Sequence, residues 1–240
     1  MKLSRRRVGA VFHKELREYR HNGNIVYAMA ILPLVFLIQP LIQVFTLPSS
    51  ASVPLHREHA LLYMLAIPVL VPAALSAYSV VGERLQGTLE PVLSTPVRSR
   101  ELLLGKALAA FIPSVVVAYA VFALYVAVVE LFARPDVASA LIRGPDLLAQ
   151  LIFTPLLATW SIWVGIAISV RSTDPRTAGQ LAILASLPTV AVTSLIAFEV
   201  ISPTWRVAVL LGAVLVVLVR LGWRFATALF DRERLITGRR

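Results

Sequence analysis

The 240-residue chain contains no cysteine, which excludes a disulfide framework, a thiolate metal site and a cysteine nucleophile. Charge is also scarce. Only 15% of residues are Asp, Glu, Lys or Arg, against roughly 25% in soluble domains. Gly-x-x-x-x-Gly-Lys-Ser/Thr does not occur: Gly105-Lys106 lacks both the upstream glycine and the hydroxyl residue, so the chain has no phosphate loop of that kind. The four histidines, at 13, 21, 56 and 59, fall outside the long apolar runs. His56 and His59 read as outer-loop residues rather than metal ligands, and no serine in the apolar runs has a histidine or lysine to activate it. The reading is therefore of a chain without catalytic residues, metal or cofactor of its own. No repeat of 20–50 residues is present.

What the chain has instead is apolar length. Hydrophobic residues make up 58% of it and the mean hydropathy is +0.79. Six runs are long enough to cross a hydrocarbon core of roughly 30 Å: 25–47, 60–81, 107–132, 147–170, 178–200 and 205–225. Unpaired backbone groups are too costly in lipid, and these runs are too long for barrel strands, so an all-α integral membrane protein is expected. The N-terminal segment is not read as a secretory signal, because its charges continue to Arg20 and no short apolar core with a cleavage site follows.

Basic residues fix the expected orientation. Segments 1–24, 82–106 and 171–177, with the end from Arg220 onward, hold 19 Lys and Arg, whereas the other side holds only Arg57, Arg134, Arg143 and Arg206. Both termini and the 82–106 loop are therefore expected in the cytoplasm. Topology accounts for the net charge of +10, and no nucleic-acid partner is needed. Ahead of the first span, Val8, Val11, Phe12, Leu16 and Tyr19 recur at helical spacing, with Lys14, Arg17 and Glu18 largely between them. This predicts an interfacial amphipathic helix within 1–24, lying along the inner leaflet. A basic tail, 226–240, closes the chain.

The spans carry prolines at 33, 40, 68, 72, 113, 155 and 188, which should kink or loosen five of the helices. Their polar groups are mild. Gln39 and Gln43 share one face of the first span and, with Glu130 and Glu199 near outer span ends, are the candidate pathway or gating residues. Thr154, Thr159, Ser161, Thr189, Thr193 and Ser194 are expected to bond between helices. So weakly polar a lining suits a hydrophobic or amphiphilic molecule better than a small ion.

The most patterned polar stretch is 82–106, GERLQGTLEPVLSTPVRSRELLLGK. The second span is expected to end near Gly82. Thr88 is then read as the N-cap of a short amphipathic helix showing Leu89, Val92 and Leu93 on one face, and Thr95-Pro96 ends it. Ser99 is read as capping the next helix, with Glu101 in its first turn. The run Gly82-Glu83-Arg84-Leu85-Gln86-Gly87-Thr88-Leu89-Glu90, with Leu93, Thr95-Pro96-Val97 and Leu104-Gly105-Lys106, resembles the signature of type-2 ABC export permeases. Leu85-Gln86 and Pro91 depart slightly from the usual pattern.

The resemblance implies a prokaryotic cytoplasmic-membrane permease whose amphipathic N-terminal helix is an elbow. Partners would be two ATP-binding cassette subunits, holding the ATP and Mg, and a second permease copy or paralogue. It further implies that Gly82, Glu83, Arg84, Gly87, Thr88, Leu89, Glu90, Val92, Leu93, Thr95 and Pro96 form an ATPase-coupling element. Glu83 and Arg84 would lie at the rim of a docking groove, and the leucines and Val92 inside it. The alternative reading is a non-transporting membrane anchor that recruits a cytoplasmic partner through the same loop.

Overall fold

The computed structural model describes residues 3–46, 59–88, 91, 94–202 and 204–229. It is all-α. A helix α1 (Arg5–His21) precedes α2 (Gly23–Thr46). The next helical run begins as α3 (Ala60–Tyr63), tightens through a 3₁₀ turn at Met64–Ala66 and continues as α4 (Ile67–Leu85). Then come α5 (Ser99–Phe132), the short α6 (Pro135–Leu141), α7 (Gly144–Arg171), α8 (Pro175–Ala197) and α9 (Trp205–Leu229). Six of these runs are long and apolar enough to cross a membrane: α2, α3 with α4, α5, α7, α8 and α9. This is a multi-pass membrane protein.

The centre of the bundle is α4, buried on nearly every side and in contact with α2, α5, α7 and α8. Its closest approach is to α7. A Cβ added at Gly165 of α7 would lie 1.9 Å from Ser76 Oγ, 2.9 Å from the Ala73 carbonyl oxygen and 3.1 Å from the Ala77 nitrogen. Small residues that let backbones touch replace the hydrophobic drive that lipid removes. The outermost helix, α9, leans chiefly on α7, with Gly222 set against Trp163 and the Trp163 and Trp223 rings 5.2 Å apart, edge to face.

Hydroxyl groups join the helices differently from the sequence expectation. Thr159 donates to Pro155 O, Thr193 to Val190 O and Thr154 to Gln150, all within their own helices. A hydroxyl can satisfy itself locally on an oxygen one turn back in its own helix, a backbone carbonyl offering its second lone pair. The bonds that cross between helices come from elsewhere: Ser169 Oγ accepts from the Val80 and Val81 amides at 3.0 Å each, Gln150 donates to Leu61 O, and Tyr119 donates to Leu151 O.

The elbow prediction needs one correction. The line of α1 that is buried is Val11, Glu15 and Tyr19, and it faces protein. A Cβ at Gly105 of α5 would sit 2.5 Å from Val11 Cγ1 and 3.1 Å from Val8 O, so α1 crosses the start of α5 almost in backbone contact.

Candidate functional site

The polar end of the bundle is built around the 82–106 loop. Helix α4 runs one turn past Gly82 and stops because Gly87 takes a left-handed backbone (φ +67°). The Gly87 amide bonds to Arg84 O at 3.3 Å and the Thr88 amide to Glu83 O at 3.0 Å, a Schellman termination. Thr88 supplies the last amide of this termination, and Pro91 and Ser94, in the short helix it is expected to cap, are helical. The N-cap of α5 is Arg98 rather than Ser99, and the Glu101 side chain accepts from the Arg98 amide at 3.0 Å. Leu89, Glu90, Val92 and Leu93 lie outside the described residues.

Glu83 and Arg84 are both engaged inside the chain. Arg84 donates to Val170 O at 3.1 Å and Ser172 O at 2.9 Å, neutralising the carbonyl end of α7. Glu83 is 2% exposed and pairs with two lysines, Lys106 at 2.9 Å and Lys14. The Lys106 ammonium, fully buried, also donates to Glu15 Oε1 at 2.7 Å and Ser79 O at 2.8 Å. Lys14 in turn contacts Glu18 at 2.9 Å and Glu15 at 3.3 Å. A second clamp holds the N-terminus of α1. Glu101 accepts from the Ser4 amide at 2.9 Å and from Arg7 at 3.3 Å, and Arg7 also donates to Pro96 O at 2.8 Å. Thr95 and Pro96 are exposed between these clamps.

Glu15, Glu18 and Glu83 bring carboxylate oxygens within 4.8 Å of one another, a spacing that could hold a hard cation. The position is already served: the Lys14 ammonium contacts all three. Burial alone would lower the Lys14 pKa, but the Glu15, Glu83 and Glu18 carboxylates outweigh it and hold the group above its ordinary 10.5. Burial also pushes the Tyr19 phenol up, and the same carboxylates add to it; its hydroxyl has no hydrogen-bond partner among the described residues.

Because the folded-state lysine pKa is raised, the Lys14 contribution is complete below 10.5 and is lost as pH rises through the higher folded value. The thermal-midpoint difference between the wild type and Lys14→Met should therefore be flat from about pH 7 to about 10 and close above that. A difference that already closes between about pH 6 and 8 would show that Lys14 is not the group holding α1.

A separate cavity of about 660 Å³ opens between α7, α8 and α9. Its wall is apolar, including Leu65, Phe153, Leu157, Ile196 and Leu215, with Thr189 and Thr193 among the lining residues. His59 and Asp146 line it as well. His59 Nδ1 donates to Asp146 at 2.8 and 3.0 Å, and both residues are buried. This corrects the reading of His59 as an outer-loop residue: it ties the start of α3 to the first turn of α7. Neither Gln39, Glu130 nor Glu199 lines this cavity. Gln39 is half-buried in α2 with its carbonyl oxygen unpartnered among the described residues, and Glu130 is exposed near the end of α5. Glu199 lies beyond the end of α8 at φ +59°, exposed, and so not within a span. The Gln43 side chain is outside the described set.

The sequence profile of a family described as ABC-2 family transporter protein matches residues 9–204, most of the chain. The chain belongs to the ABC-2 transporter family. No curated protein matches it. As an ABC-2 permease it is the transmembrane component of a transporter and not the ATP-hydrolysing enzyme. The Glu15–Glu83–Lys106 knot within this ABC-2 chain is what sequence reasoning missed. Its signal was the acid at position 15, one turn from both Val11 and Tyr19 on the apolar line of α1.

Proposed function

We propose that this ABC-2 chain is the permease subunit of an ATP-driven exporter that moves a hydrophobic or amphiphilic molecule, such as a drug, lipid or lipid-linked compound. Two ATPase subunits would dock on the 82–106 loop at the cytoplasmic side, where both termini also lie. A second copy or paralogue would complete the transmembrane unit. The observation that carries this reading is the double clamp on the loop. Its start is fixed to α7 through Arg84 and to α1 through Glu83, and its end to α1 through Pro96, Glu101 and Lys106. A push on residues between those clamps would reach α4, α5, α7 and α1 together rather than being absorbed by a slack loop. The apolar cavity, with its few polar groups at one side, supports the amphiphilic substrate class.

The test is co-purification with an ATP-binding cassette subunit expressed from the same source, followed by hydrolysis rates of the pair in lipid. Leu93→Asp would place a charge in the apolar docking face and should weaken the complex by on the order of a hundredfold, leaving membrane insertion intact. Unchanged co-purification would remove the coupling role from the loop. A complex whose hydrolysis ignores the permease would favour the anchor reading.

A further inference from the structure

Two arginines stand within the apolar helix α9, Arg220 and Arg224, one turn apart and both exposed. Among the described residues no carboxylate pairs with either. An ionised group on a membrane-crossing helix needs a partner, and the described residues offer these two no carboxylate. The neighbourhood adds positive charge. Arg171, the last residue of α7, lies over the Phe225 ring at 5.4 Å to the centroid, which brings a third guanidinium to the level of Arg224. This is also the end where Arg84 caps α7, so it is the end that carries the α1 clamps and the basic loops.

Below the arginines the exposed line of α9 is apolar. Positions 224, 220, 217, 213 and 210 follow one another at spacings of three and four, and Val217, Ala213 and Leu210 are all exposed. From Arg220 to Leu210 the helix rises about 15 Å, which is half of a hydrocarbon core of roughly 30 Å. A cationic pair above one leaflet's depth of apolar surface has the layout of an anionic lipid: phosphate at the guanidiniums, an acyl chain along the stripe. A second copy of this chain fits less well, since it carries +10 itself and would bring like charge to this end.

We propose that Arg220 and Arg224, with Arg171 beside them, form a binding site for an anionic glycerophospholipid of the leaflet at the polar-loop end. The site selects the lipid by its phosphodiester charge and holds its tail against α9. This inference does not depend on the transport reading.

Native mass spectrometry of the delipidated full chain, titrated with equimolar phosphatidylglycerol and phosphatidylcholine, tests it. The wild type should retain phosphatidylglycerol in preference, and the Arg220→Gln/Arg224→Gln double variant should bind it about thirtyfold more weakly. Arg206→Gln, at the opposite end of α9, should bind as the wild type does. Equal retention of the two lipids, or unchanged binding by the double variant, overturns the proposal. Displacement of the lipid by millimolar inorganic phosphate also overturns it, because the apolar stripe would then contribute nothing. Should the double variant fail to fold, a salt series on the wild type decides: phosphatidylglycerol retention must fall with ionic strength, and a flat response rejects the site.

Discussion

Replacing Lys106 by Met will lower the thermal midpoint of the purified protein by roughly 10 °C or more. The lysine is fully buried and its ammonium meets Glu15, Glu83 and the Ser79 carbonyl. Removing it leaves two carboxylates, 1% and 2% exposed, to share the single ammonium of Lys14. Breaking a buried pair by deleting one partner costs about 3–5 kcal/mol, since the other charge stays behind unpaired. For a chain of this size about 1 kcal/mol corresponds to 2–4 °C.

The sign can be checked internally. Removing the whole set, Lys106→Met with Glu15→Gln and Glu83→Gln, should recover much of the loss, because a buried pair as a unit is close to neutral against uncharged replacements. Limited proteolysis should show α1 released in the single variant and retained in the triple. A single variant that melts within about 2 °C of the wild type would mean that α1 is held by Val11 against Gly105 and by Glu101 alone.

The second large effect is expected at Gly165. Leu at this position has no room, because even a Cβ meets Ser76 Oγ at 1.9 Å and backbone atoms of α4 at 2.9 and 3.1 Å. Forcing these helices apart disturbs the most buried helix of the bundle, and the cost should be about 3 kcal/mol or more. Gly165→Ala is a graded version. The Ser76 hydroxyl is a rotatable side-chain tip, so adding Ser76→Ala should restore part of the stability, while the Ala73 carbonyl keeps the restoration incomplete. If Gly165→Ala alone melts as the wild type does, the α4–α7 approach is looser than described.

The six apolar helices and the family signature were legible in the sequence because both are local: a span needs only contiguous hydropathy, and the loop motif is one run of residues. The packing of α1 was only half legible. Its helical spacing was readable, but the destination of the apolar line was not, because a stripe facing lipid and one facing α5 look alike in one dimension. Glu15 was the signal left unread, since an acid between Val11 and Tyr19 implies a buried cation nearby. Hydroxyl pairing failed for another reason. Thr154, Thr159 and Thr193 each have a bonding partner within their own helix, whereas Ser169 reaches the Val80 and Val81 amides only because the helices approach closely there. His59 was assigned by neighbours in sequence, and its partner Asp146 is 87 residues away.

The lysine–carboxylate knot also orders events during synthesis. Glu15 leaves the ribosome 91 residues before Lys106. At about 5–20 residues per second, the wait is roughly 5 to 20 s. Throughout that interval the first two spans must enter the bilayer while α1 has neither its buried cation nor the Gly105 surface to rest on. The helix that finally locks the polar end is therefore made before the first two spans and seated only after them, and its seating marks the arrival of the third span.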